Sequence, residues 1–144
     1  MIGASSVNHI GIAVRSVDAQ RNFYEGVLGA RYEGTEDVPE QHVRVAFYAL
    51  GPLHNPVRLE LLEPTSPHSP IAAFLDKHGE GLHHIAYTVN DLAARLAQLK
   101  SSGVRLIDET PRAGARGASI AFIHPKSSMG VLSELCEHTA PHHH

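Results

Sequence analysis

A chain of 144 residues, 42% hydrophobic and 19% charged, has the make-up of one globular domain, or of two small halves that share a core. Its formal charge of −3, with no long run of one sign, argues against a nucleic-acid or membrane-surface protein. No stretch approaches the roughly 20 apolar residues of a membrane span, and neither a signal-peptide pattern nor a second cysteine beside Cys136 is present, so a reducing, cytoplasmic setting is expected.

Residues 7–14 are β-rich and alternating, with His9, Gly11 and Ala13 on one face and Ile10, Ile12 and Val14 on the other. A helix is predicted over 19–28, with Asp18 as N-cap and Gly29 as stop; Ala19, Phe23 and Val27 share one face, with Tyr24 and Leu28 beside them. Residues 31–35 read as a short strand and 36–41, with Pro39, as a loop. Strands follow at 43–50 and 57–62, around a turn at 51–56. Pro64, Pro67 and Pro70 punctuate a connector in which Ser69 and Pro70 start a short helix with Ile71, Phe74 and Leu75 on its apolar side.

The same order then returns. Residues 82–89 read as a strand, and Asp91 opens a helix with Leu92, Leu96 and Leu99 on one face and Gly103 as its end. A short strand at 104–107, a Gly- and Pro-containing loop at 110–117, and strands at 118–124 and 131–137 complete the series. The repeat is also written in residues. Asn8-His9-Ile10-Gly11-Ile12-Ala13-Val14 returns as His83-His84-Ile85-Ala86-Tyr87-Thr88-Val89, and Leu59-Glu60-Leu61-Leu62-Glu63 as Ser133-Glu134-Leu135-Cys136-Glu137. Val45-Ala46-Phe47 is echoed by Ile120-Ala121-Phe122. The expected fold is α+β: one domain over 1–144, with β-α-β-β-β repeats at 7–64 and 82–137, a connector at 65–81 and a tail at 138–144.

Each copy carries one His on a strand face of small residues and one Glu that alternates against leucines or their equivalents. Packed about a pseudo-twofold axis, the copies would bring His9, Glu60, His84 and Glu134 to one point. Two imidazole nitrogens and two carboxylate oxygens suit Co2+, Mn2+, Fe2+, Ni2+ or Zn2+, and a six-coordinate ion would keep two positions for substrate oxygens. His42, His54, His68, His78 and His138 fall at loops or element ends and read as surface residues. His83 points to the opposite side of its strand from His84, and the repeat alignment selects His84. His142, His143 and His144 form a terminal run that plays no part in the fold reading.

The repeated unit with these ligands resembles the vicinal oxygen chelate superfamily, and within it the methylmalonyl-CoA epimerase family. The resemblance spans residues 7–137. Its more specific segments are Ser69-Pro70-Ile71-Ala72, Leu82-His83-His84-Ile85, and Phe122-Ile123-His124-Pro125-Lys126-Ser127. It implies a glyoxalase-like fold, a homodimer, an acyl-CoA thioester substrate and a divalent cation, Co2+ or Mn2+ above the others. The implied reaction interconverts (R)- and (S)-methylmalonyl-CoA, in propionyl-CoA metabolism, by α-proton removal and return through an enolate. His9, Glu60, His84 and Glu134 would be the metal ligands.

Glu134 is the first choice of catalytic base. Some family members place a non-ligand Glu where this chain has Val45, which cannot transfer protons, so the second base falls to Glu60, a water or another residue. Arg112, Arg116 and Lys126 are candidate contacts for the CoA phosphates. A glyoxalase-I-type lactoylglutathione lyase uses the same metal set and is the nearest rival. A ring-cleaving oxygenase would use two His and one carboxylate, and a metal-free resistance protein would have no use for both His-Glu pairs.

Overall fold

The computed structural model describes residues 1–138, so His142 to His144 and all of the expected tail but His138 lie outside the described residues. The chain is α+β and forms two compact units: His9–His83, and Met1–Asn8 together with the described residues from His84 to His138. No helix among the described residues is long and apolar enough to cross a membrane.

The unit His9–His83 holds strands β1 (Ser6–Ala13, from His9 on), β2 (Arg31–Val38), β3 (Val43–Leu50) and β4 (Val57–Pro64), with helices α1 (Val17–Arg21) and α2 (Pro70–His78). Its strands lie in the order β2-β3-β4-β1, antiparallel except for the parallel pair β1 and β4. Alternation divides the sheet into two faces. Ile12, Leu59, Leu61, Ala46 and Tyr48 pack with Val14, Val17, Tyr24 and Ala30. Leu61 and Tyr48 are fully buried there. Burying a large apolar side chain stabilises by about 1.5–3 kcal/mol, so this face fixes the register of β4 and thereby which way Glu60 points.

The second unit takes β5 (Gly81–Thr88, from His84 on), α3 (Leu92–Ser101), β6 (Arg112–Ala113), β7 (Ser119–Ile123) and β8 (Ser133–Glu137). The strand order is β5-β8-β7-β6, with β5 and β8 parallel. Leu92 and Leu96 of α3 are buried against Ala121 and Leu135, with Leu99 packed alongside, as the helical spacing of these leucines requires. Met1–Asn8, which include the first residues of β1, belong to this unit: Ser5 N–H donates to Thr88 O at 2.9 Å, and Ser6 Oγ to Thr88 Oγ1 at 3.0 Å.

A shared device starts α1 and α3. Glu63 Oε1 accepts from Val17 N at 2.8 Å, while Glu137 accepts from Asp91 N at 2.8 Å and Leu92 N at 3.0 Å. The second Glu of each repeated segment thus satisfies amides that a helix start leaves open, and its charge lies at the positive end of the helix dipole.

Several sequence expectations need correction. The N-cap of α1 is Ser16, whose hydroxyl accepts from Ala19 N, rather than Asp18. The helix is α only to Arg21 and continues as a π-helix over Asn22–Val27. The wider turn moves the buried side to Val17 and Tyr24, leaving Phe23 and Val27 46% and 67% exposed instead of forming the packed face. It also brings Glu25 to the buried Tyr48, whose hydroxyl donates to Glu25 Oε2 at 2.6 Å. The predicted loop at 36–41 is strand as far as Val38, followed by a short turn at Pro39–Gln41. The predicted strand at 104–107 does not form; one bridge, Leu106 to Ile123, marks its place. The last strand is confined to Ser133–Glu137. The connector helix starts as its sequence requires, with Ser69 Oγ accepting from Ile71 N at 3.1 Å.

Candidate active site

The sheet face turned away from α1 carries His9 and Glu60, and the one turned away from α3 carries His84 and Glu134. In the unit His9–His83, Gly11 stands opposite Glu60 on β4, and His9 is two residues before Gly11 on the same face. On the other side of Glu60, β3 places Phe47 directly across. The carboxylate therefore lies between a strand position without a side chain and an aromatic ring. His9 Nδ1 is 3.2 Å from Glu60 Oε2, and their side chains are 5% and 13% exposed.

The second unit repeats this register. Ala86 stands opposite Glu134, His84 is two residues before Ala86, and Phe122 of β7 faces Glu134 from the other side. His84 Nε2 is 3.1 Å from Glu134 Oε1, with side chains 5% and 6% exposed. The Phe122 ring also meets His84 in a T-shaped contact, with centroids 5.5 Å apart and planes at 84°.

Burying a carboxylate without compensation is costly, and here a carboxylate in each unit is withdrawn from water onto an imidazole. Imidazole nitrogen and carboxylate oxygen are the donors that borderline divalent cations take, so the residues present fit such an ion. Each unit offers such donors as one pair, His9 with Glu60 and His84 with Glu134. Val45 lies on the face that carries Glu60, two residues before Phe47, and is buried.

His83 is separated from this chemistry. Its ring meets Phe74 of α2, with centroids 5.0 Å apart. His42, His54, His68, His78 and His138 are exposed or partly exposed, as expected. The three basic candidates are also at least partly exposed. Arg112 lies on β6 and pairs through Nε with Asp108 Oδ1 at 3.2 Å. Arg116 occupies the turn Ala115–Gly117 at a φ of 55°, and Lys126 lies in the turn Pro125–Ser127, where its amide donates to His124 Nδ1.

Phe47, Phe122 and Asp108 are the additions that sequence reasoning passed over. The two phenylalanines had a signal, the echo of Val45-Ala46-Phe47 in Ile120-Ala121-Phe122. Asp108 had none, because its role depends on a strand it does not belong to.

Comparison with known proteins agrees with this picture. The chain is 49% identical to the Bacillus subtilis protein YqjC over 95% of both chains. It is 39% identical to the ethylmalonyl-CoA/methylmalonyl-CoA epimerase of Cereibacter sphaeroides, over 94% of this chain and 98% of that one. Among solved structures, a variant of Streptomyces coelicolor methylmalonyl-CoA epimerase in complex with 2-nitronate-propionyl-CoA superposes with a TM-score of 0.89 at 38% identity, over 98% and 99% of the two chains. These epimerases are isomerases. The family model described as Glyoxalase/Bleomycin resistance protein/Dioxygenase superfamily matches residues 8–122; the chain belongs to this superfamily and has its vicinal-oxygen-chelate, glyoxalase-like fold.

Proposed function

We propose that the protein epimerises methylmalonyl-CoA with the help of one divalent cation held by His9, Glu60, His84 and Glu134. The observation that carries the proposal is a His-Glu pair in each unit, fully buried for His84 and Glu134 and nearly so for His9 and Glu60, of a chain that resembles methylmalonyl-CoA epimerases along nearly its whole length. The names of the relatives favour it over a lactoylglutathione lyase or a metal-free binding protein.

The hard step is loss of a proton from a carbon flanked by a thioester and a carboxylate. When bound, a divalent cation supplies Lewis-acid stabilisation of the charge that develops on the thioester oxygen. Glu134 is the base that takes the α-proton. Its burial keeps water from competing for that proton, and Phe122 closes the carboxylate off on the β7 side. Glu60 returns a proton to the opposite face of the planar enolate; Val45, its neighbour on that face, has no proton to give. Arg112, Arg116 and Lys126 receive the CoA phosphates. Co2+ or Mn2+, a homodimeric state and a cytoplasmic setting belong to the same proposal. So does a single domain of two β-α-β-β-β repeats, supported by the matching roles of His9 and His84, Glu60 and Glu134, and Glu63 and Glu137.

Solvent-deuterium exchange tests the reaction. Metal-loaded protein is expected to wash deuterium into the α-position of methylmalonyl-CoA and to equalise the two epimers. Absence of exchange with Co2+- and Mn2+-loaded protein would overturn the proposal. Light scattering during size-exclusion chromatography reads the oligomeric state.

A further inference from the structure

Asp108 lies outside every regular element, at 17% side-chain exposure, yet it joins two strands. Its Oδ2 accepts the backbone N–H of Phe122 at 2.9 Å, and its own N–H donates back to Phe122 O at 3.2 Å. Its other oxygen, Oδ1, holds Arg112 Nε at 3.2 Å. The guanidinium is thereby set against the Phe122 ring, 5.4 Å from its centroid. The same ring meets His84 in a T-shaped contact. Asp108, Arg112, Phe122 and His84 thus form a continuous series, from an exposed cation to a buried imidazole.

Arg112 is held on the backbone side too. It pairs with Ile120 in the β6–β7 ladder. Two residues on, a Cβ at Gly114 would lie 2.7 Å from Ile120 Cγ2, so the chain leaving β6 lies tight against β7. With Nε engaged by Asp108, the terminal amino groups of Arg112 stay available, and the side chain is 41% exposed. A planar fork fixed in this way is suited to an anionic oxygen, whereas an unanchored arginine would first lose rotamer freedom.

Resting on the epimerase reading, we infer that Asp108 is a positioning residue that fixes Arg112 against Phe122 as an anion receptor for an acyl-CoA whose reacting end lies at His84. One aromatic ring separates the guanidinium from the imidazole. The anion it meets is therefore a phosphate of the CoA arm rather than the carboxylate at the reacting carbon.

The test compares D108N, R112A, R112K and the double variant D108N/R112A, all metal-loaded, on methylmalonyl-CoA and on methylmalonyl-pantetheine, which lacks the nucleotide phosphates. The side-chain amide introduced by D108N can still accept the Phe122 N–H through its carbonyl oxygen but offers no charge to Arg112. D108N and R112A are each expected to raise KM for the CoA thioester by about fivefold to tenfold with kcat nearly unchanged, a loss of binding shared by ground and transition states. R112K retains charge without the fork and is expected to fall between. D108N should add nothing once Arg112 is gone, and neither change should matter on the pantetheine thioester. An undiminished D108N effect in the R112A background would overturn the inference, because Asp108 would then act through the fold. Equal effects on both thioesters would overturn the phosphate assignment. Calorimetric titration with coenzyme A itself gives a readout that needs no turnover. A wild type that binds coenzyme A but does not epimerise would remove the proposed reaction, whereas D108N and R112A binding coenzyme A like wild type would remove this receptor.

Discussion

Glu134 is 4% exposed and pairs with His84, an environment that suits a proton-transfer group shielded from water. Glu134→Gln keeps a ligating oxygen but has no basic carboxylate; deuterium exchange at the α-carbon is expected to fall by about 10²–10⁴-fold, the usual worth of a general base. Glu60→Gln separates the two faces of the reaction. If Glu60 serves the second face, one epimer still exchanges its α-proton while inversion stops, a split that chiral analysis of the deuterated product reads. His84→Ala removes a nitrogen donor, and metal content after dialysis is expected to drop together with activity. Retention of full metal content by His84→Ala would exclude His84 as a ligand. A different residue sets a pH response. Burial, then the nearby Arg105 and Lys126, hold the His124 imidazole below its ordinary value of 6.5. The unfolded chain therefore takes that proton first, so the contribution of this turn is complete above that pH and is lost as pH falls through the lowered folded value. Protonation of Nδ1 also removes the acceptor of the Lys126 amide. The melting temperature of wild type should fall relative to His124→Asn between about pH 7 and pH 5, and parallel curves would refute the assignment.

Helix starts and the π-turn set stability at the level of elements. Glu137 accepts amides at the start of α3 through both of its oxygens, and Glu63 accepts one at the start of α1. Glu137→Ala should cost about 1–2 kcal/mol and Glu63→Ala about 1 kcal/mol in denaturant unfolding, the range of a lost helix cap. The π-helix is held by a network in which Arg21 Nε bonds Glu25 Oε2 at 2.7 Å while Tyr48 donates to the same oxygen. Arg21, then Tyr48, hold the Glu25 carboxyl below its ordinary value, so this contribution is present above the unfolded carboxyl pKa and fades as pH falls through the lowered folded one. Desolvation, followed by the bond to Glu25, raises the Tyr48 phenol well above its usual range, and it remains a donor at neutral pH. Tyr48→Phe should cost about 1 kcal/mol. Gly114→Ala forces a methyl against Ile120 and should cost about 1–3 kcal/mol as overpacking.

The proposed cation binding is the property that would reach the whole molecule. A ligand that binds only the folded chain stabilises it by about 2.7 kcal/mol when present at a hundred times its dissociation constant, which raises the melting temperature of a chain this size by roughly 5–10 °C. Chelation should therefore lower the melting temperature of metal-loaded protein by that order, and Co2+ or Mn2+ should restore it. Wild type lacking this shift would count against a folded-state metal site, and Glu60→Ala/Glu134→Ala should show none of it.

Periodicity and repetition made the scaffold legible before any coordinates. Strand alternation assigned His9 to the face of Gly11 and Ala13, and spacing put Leu92, Leu96 and Leu99 on one side of α3. Such patterns are local: a strand repeats every two residues and a helix about every 3.6, whatever the rest of the chain does. The same patterns misread α1, because a π-helix has another period and forms here where Glu25 meets Tyr48 of β3. They also could not reveal that the second Glu of each repeated segment caps a helix, or that Asp108 grips Phe122 and Arg112. Those are bonds whose partners are chosen by packing and register rather than by local spacing. Residue types and their recurrence by themselves determined most of the strands, the repeated His and Glu and the chemistry those donors suit; which side chains flank, cap and anchor them was decided only when burial drew separate strands together.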